Sequence, residues 1–244
     1  MIFSIVLGLI GLVILGYFYP KTRNNIKEMT AMETKTIAEL REMLGTDGNN
    51  KLREFVELKG KATAENLLVA PYSKREVVYF ECEVEREYRN TQTGEVETDH
   101  RTTDKCEIDI NMNDSSSDES IVIDVTKKCK LDIPVTYNKY ERQGMASDIL
   151  DSIISISGFN NRENTLGYKI KERTIDVNQD IYVIGEAYIE SGKIHIGKPE
   201  DAKKPFIVTT KSEEEFIKKS KRNSIIQMIA GIGLIIAGIV LAVI

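Results

Sequence analysis

IIQMIAGIGLIIAGIVLAVI, residues Ile225–Ile244, is a run of twenty residues without a formal charge. At a rise of about 1.5 Å per residue, such a run matches the hydrocarbon thickness of a bilayer. It reads as a transmembrane helix. A second apolar run, Ile2–Tyr19, lies near the other end. Met1 is followed at once by Ile2 and Phe3, so the basic start of a signal peptide is missing, and no small-residue cleavage pattern precedes Pro20. Tyr17, Phe18 and Tyr19 suit the water–lipid boundary, where amphipathic rings anchor a span. The run reads as an uncleaved signal anchor. The chain then divides into a span over 1–20, a linker and juxtamembrane helix over 21–50 and a β-rich domain over 51–211. A juxtamembrane helix over 212–223 and a span over 224–244 complete it.

The net charge of −5 argues against nucleic-acid binding by bulk electrostatics. Positive charge collects instead beside the two apolar runs, at Lys21, Arg23 and Lys27 and at Lys218, Lys219, Lys221 and Arg222. Cytoplasmic flanks carry the excess of Lys and Arg. Both runs therefore place the central domain in the cytoplasm and both termini outside. The basic residues before the second span are expected near lipid headgroups of the bilayer. Another membrane protein or a second copy of the chain is the expected protein partner. Three cysteines, Cys82, Cys106 and Cys129, show no CxxC spacing, which fits a reducing compartment better than a disulfide framework. Cys82 and Cys106 read as small core residues of strands.

Between the spans, periods of two dominate. Phe55–Ala62 reads as a strand and Ala70–Ser73 as a turn. Val78, Phe80, Cys82 and Val84 share one face of a strand, and Glu81, Glu83, Glu85 and Glu87 the other, solvated one. Asn90–Gly94 is a hairpin turn. Cys106, Ile108, Ile110 and Met112 alternate, as do Ile121, Ile123 and Val125. The polar loop between them begins with the calcium-loop spacing Asp109, Asn111, Asn113, but Asp114 stands where glycine is needed and Ser120 where glutamate is, so it reads as a hairpin loop. Tyr168–Ile175 and Pro205–Thr210 are further strands. Asp180–Glu190 turns through Ser191-Gly192 into Lys193–Gly197 as a hairpin. Helices are expected after the capping box Thr36–Glu39, with Ile37, Leu40 and Leu44 on one face, and after a second box at Ser212–Glu215. A third helix, Ser147–Ser157, is expected to dock on the sheet. These pieces make an α+β fold, a β-rich sheet or partly closed barrel with one or two packed helices, flanked by two transmembrane helices.

No phosphate loop, nucleophile elbow or zinc-ligand pattern occurs. His100 lies in a polar turn, and His195 alternates with Ile194 and Ile196 and so faces solvent. No catalytic, cofactor-binding or metal-binding residue is assigned, and no cofactor is expected. Gly233-xxx-Ala237 and Gly238-xxx-Ala242 permit close helix packing, against the first span or against a second copy.

The order of these pieces resembles the MULAN/GIDE group of membrane proteins, which carry a GIDE or BAM (beside-a-membrane) domain between two spans. VELKGKA (Val56–Ala62) with APYS (Ala70–Ser73) and VVYFECEVERE (Val77–Glu87) carries the likeness. So do ERTIDVNQDIYVIGEA (Glu172–Ala187) and KPFIVTTKSEEEFI (Lys204–Ile217). The resemblance implies a link to ubiquitin or SUMO ligation, which in the animal members resides in a RING after the second span. A RING takes eight Cys or His ligands for two zinc ions, against three Cys and two His here, so a RING-less relative is expected. The animal module faces the mitochondrial intermembrane space, whereas the charges here place it in the cytoplasm. The leading expectation is a membrane-tethered, non-enzymatic binding or scaffold module. The alternatives are a component of a ubiquitin-ligase-like system that takes its RING from another chain, and a hydrolase with an unrecognised site.

Overall fold

A computed structural model describes residues 2–45, 52–106, 108–126, 129–142 and 164–243, the side chains of 99–104 excepted. The helix expected at Ser147–Ser157 and the ring of His100 lie outside the described residues. The chain begins as one long helix in three parts, α1 (Ile2–Val13), a π turn (Ile14–Phe18) and α2 (Tyr19–Ala31). Pro20 accounts for the π turn. It has no N–H to give the carbonyl of Gly16, and its ring crowds that carbonyl. The wider turn just before it relieves both, with the Tyr19 N–H reaching back to the Ile14 carbonyl.

A short helix, α3 (Ile37–Gly45), follows, and the chain closes with α4 (Glu213–Val243), which runs unbroken past residue 223. Ile2–Ala31 and Glu213–Val243 are long and apolar enough to cross a membrane, with mean hydropathies of 2.4 and 2.5. They pack on each other antiparallel through small residues. A Cβ on Gly238 would fall 2.7 Å from the Ser4 carbonyl oxygen, and one on Gly11 2.7 Å from that of Gly231. Gly238 thus meets the first helix within the same chain, while Gly233 has open space around it.

Five strands close a barrel, β2 (Glu54–Thr63), β6 (Ile110–Asn113), β7 (Ile121–Ile123), β12 (Lys193–Gly197) and β11 (Asp180–Glu190), which returns to β2. β7 and β12 run parallel and the other neighbours antiparallel. Val56, Leu58, Ile110, Ile123, Val183 and Ile196 fill the interior and are all buried. The β11–β12 turn is the expected one. Ser191 and Gly192 both have positive φ, 51° and 78°, as a two-residue turn matched to strand twist requires. β1 (Thr34–Lys35) adds to β2, and β13 (Ile207–Thr209) carries β8 (Lys130–Asp132) beside it.

β11 is the hub. Asp180–Ala187 pairs with β2 along one edge. On the other edge β13 holds Tyr182–Ile184 and β12 holds Glu186–Glu190. Gly185 stands where one partner gives way to the next. A Cβ there would lie 2.7 Å from Ile196 Cγ2 and 2.9 Å from the Gly197 carbonyl oxygen, so the crowded junction leaves no room for a side chain.

The second sheet is a half-barrel in which β4 (Glu76–Arg89) lies between β10 (Thr165–Asp176) on one side and β3 (Leu68–Val69) and β5 (Val96–Lys105) on the other. β9 (Tyr137–Arg142) flanks β10. Cys82 and Val84 point inward as the alternation predicts. The glutamates opposite them are not a solvated face. All four are half-buried and lie beside a basic row on β10. Lys169 pairs with Glu87 at 2.7 Å, and Arg173 reaches Glu81 at 3.3 Å and Glu83 at 3.8 Å. The wholly buried Glu172 accepts the N–H groups of Tyr72 and Ser73 at 3.0 and 3.1 Å and so ties the predicted turn to β10. The three cysteines are free thiols, and burial pushes that of Cys129 up to about 12.

The capping box of α3 forms in both directions, Thr36 N–H to Glu39 Oε2 at 2.8 Å and Glu39 N–H to Thr36 Oγ1 at 3.2 Å. The loop with the calcium-like spacing has a different role. Asp114 Oδ2 accepts the Ile37 N–H at 2.9 Å, and Ser116 Oγ the Ala38 N–H at 3.1 Å, so two more free donors of α3 are satisfied from across the sheet. Asp109 accepts from Thr126 instead. Asp114→Ala is expected to cost about 0.5–2 kcal/mol, the usual loss of a helix cap. Thermal unfolding of the full chain in detergent checks it, with Asp118→Ala as the neutral comparison.

Candidate functional site

Even-numbered residues of β11 point to the outside of the barrel, and the row they form divides in two. Its first half, Tyr182 and Ile184, is covered by Ile26 and Met29 of α2 and Phe216 of α4, with Ile207 alongside. The rings of Tyr182 and Phe216 lie 6.2 Å apart. Tyr182 donates to Glu57 Oε2 at 2.8 Å and Thr34 donates to Glu57 Oε1 at 2.7 Å, so a carboxylate only 1% exposed has a partner on each oxygen. Burial, then the bond to Glu57, pushes the Tyr182 phenol well above its ordinary range.

A second fastening lies beside this seat. Asp132, the last residue of β8, accepts from Lys211 Nζ at 2.8 Å and from Lys219 Nζ at 2.7 and 3.0 Å. Burial pushes the Asp132 carboxyl up, but the two lysines more than offset it and hold it below the usual carboxylate range. Of the basic residues expected at headgroups, Lys219 is therefore turned onto the domain. Lys218, Lys221 and Arg222 remain exposed.

The second half of the β11 row is polar. Tyr188 donates a hydrogen bond to Asp124 Oδ2, and His195 Nδ1 lies 2.9 Å from Asp124 Oδ1. Asp124 is 1% exposed and the His195 side chain 16%, so His195 is not the solvent-facing residue its alternation suggests. Nδ1 is thus the ring nitrogen turned onto the carboxylate. The Tyr188 and His195 rings stack at 5.5 Å and 25°. Arg53 lies over Tyr188 at 4.6 Å and pairs with Glu200 at 3.0 Å. Gly197 makes room for the carboxylate, since a Cβ there would meet Asp124 Oδ2 at 3.0 Å.

Asp124 holds the imidazole as an orienting carboxylate holds a general base. Arg53, Glu190 and Glu200 surround the patch with charged groups of both signs. Among the described residues no group of three or more His, Cys, Asp or Glu is placed to hold a metal ion. Sequence reading assigned none of this cluster. Tyr188 and His195 stand opposite each other in the expected hairpin and were within its reach, but Asp124 lies just past the end of β7, 71 residues from His195.

A family model described as GIDE, E3 Ubiquitin ligase, matches residues 81–243. Searches of the curated proteins and of the solved structures return no match. The matched stretch holds Asp124, Asp132, Tyr188 and His195. It leaves out α1, α2, α3 and all of β2, and so both Arg53 and Glu57.

The Asp132 clasp predicts a pH dependence. Because the folded carboxyl is held below its unfolded value of about 3.9, its stabilisation is present above that pH and is lost as pH falls through the folded value. Asp132→Asn is therefore expected to lower the melting temperature of the full chain at pH 7. The gap from the native chain should close progressively below about pH 4. A gap that does not change with pH contradicts the clasp.

Proposed function

The chain belongs to the GIDE family, and from that premise we propose that it is a two-pass membrane protein holding a non-enzymatic binding module against the cytoplasmic face of the bilayer. The seating of β11 carries the proposal. Tyr182 and Ile184 lie under the two helices that enter the apolar segments, so the domain is mounted on them rather than strung between them. A mounted domain offers one constant face to other membrane-bound chains, and confinement near the bilayer raises their effective concentration. The face on offer is the Arg53–Tyr188–His195 stack over Asp124. Tyr and Arg dominate the residues that carry binding energy at protein interfaces, and a stack already fixed by a buried carboxylate loses little freedom on binding.

Lys21, Arg23 and Lys27 on one helix and Lys218, Lys221 and Arg222 on the other, all at the domain's end of the apolar segments, support the cytoplasmic side. Protease added outside intact cells should leave the domain whole, and digestion from that side contradicts the orientation.

The family description favours a second reading, a component of a ubiquitin-ligase system. These 244 residues hold three Cys and two His, short of a RING's eight zinc ligands, so on this reading the RING lies outside these residues.

A photo-cross-linking residue in place of Glu200 tests the docking face in cells. A discrete protein adduct that disappears with Arg53→Ala or Tyr188→Ala supports the module, and a ubiquitin-conjugating enzyme in that adduct selects the second reading. No protein adduct, or adducts indifferent to those substitutions, overturns the docking face.

A further inference from the structure

The cations that α4 leaves outward stand where its polar part meets its apolar part. Lys218, Lys221 and Arg222 are exposed and pair with no described carboxylate, whereas Lys211 and Lys219 are held by Asp132. The three line a groove of about 690 Å³ that continues onto Ile225 and Ile226, the first apolar turn of the helix. Glu215 is the one carboxylate among its described lining residues. The first helix brings charge to the same level. The antiparallel register sets Gly11 against Gly231 and Ser4 against Gly238. Carried further along both helices, it brings Lys21 to within about a turn of Lys221. The Lys21 amine lies 5.7 Å from the Tyr17 ring, an exposed aromatic of the kind that marks a water–lipid boundary.

We propose that this collar is a binding site for an anionic glycerophospholipid, with the phosphate between Lys218, Lys221 and Arg222 and an acyl chain along Ile225 and Ile226. Arginine offers a planar fork that matches two phosphate oxygens, and the lysines add compact charge beside it. A zwitterionic lipid brings its own cation to such a site and gains less from three more. A soluble anion has no use for the isoleucines, so charge and apolar surface together select a lipid. The site goes beyond the scaffold reading and takes from it only the depth of α4 in the bilayer.

The test uses the full chain in nanodiscs of phosphatidylcholine with graded phosphatidylglycerol, released into the gas phase for native mass spectrometry of retained lipid. The native chain should retain phosphatidylglycerol over phosphatidylcholine by about tenfold or more, since each basic residue near a membrane surface adds to its hold on anionic lipid. Lys218→Ala, Lys221→Ala and Arg222→Ala together should abolish that preference with helix content unchanged. Removing the same charge elsewhere, by Lys74→Ala, Lys193→Ala and Lys203→Ala, should leave it intact. Equal retention of both lipids by the native chain overturns the proposal. So does a preference that survives the collar substitutions or vanishes equally in the control. Adducts at Glu200 are scored independently, so failure of the lipid site and failure of the docking face are distinguishable.

Discussion

A strand buried on both faces needs cover from two directions, and β11 is such a strand. Its odd-numbered side chains complete the barrel, and two of its outward ones, Tyr182 and Ile184, are closed off by α2 and α4. The cover comes from the helices that continue into the apolar ends, so the core of the domain and the packing of the ends are parts of one arrangement. Magnitudes say which contact holds it. Fully burying a large apolar side chain is worth about 1.5–3 kcal/mol, and Ile26, Met29 and Phe216 are all buried here. The Asp132 clasp, with its lysines a quarter and more exposed, is worth less than an enclosed pair and serves to orient. The seat carries the weight and the clasp sets the angle.

The same row of β11 separates two kinds of surface. Toward the helices it is apolar and closed. Beyond Gly185 it turns polar and opens by degrees, from buried Glu186 through half-buried Tyr188 to exposed Glu190. Asp124 makes that open end rigid rather than merely charged, because its two oxygens fix a phenol and an imidazole at once. Mounting and display are thus consecutive stretches of one strand, which ties the proposed function to the fold.

What could be read from the chain beforehand was what is local in it. The capping box at Thr36–Glu39, the Ser191-Gly192 turn and the apolar ends depend on neighbours a few residues apart, and each formed as expected. The barrel's closure did not show in the same way, since the β2–β11 pairing joins segments more than a hundred residues apart and leaves no period behind. The candidate site lay in that second category. Asp124 meets His195, Asp114 caps α3 and Asp132 gathers Lys219 across 71, 77 and 87 residues, and each of these carboxylates looks in isolation like part of a polar loop or strand end. His195 was misplaced for the same reason. Alternation with Ile194 and Ile196 locates the outer face correctly, but it does not reveal that a carboxylate and a tyrosine close over that face.

The central claim is that the domain and the helix entering the second apolar segment form one body. Hydrogen exchange of the full chain in lipid nanodiscs addresses it without any substitution. The account predicts that the amides of the first turns of α4, after those left unbonded at its start, exchange as slowly as those of β11, because both open only when the seat opens. Fast exchange of residues 217–223 beside a well-protected β11 contradicts it, and means a domain on a loose tether.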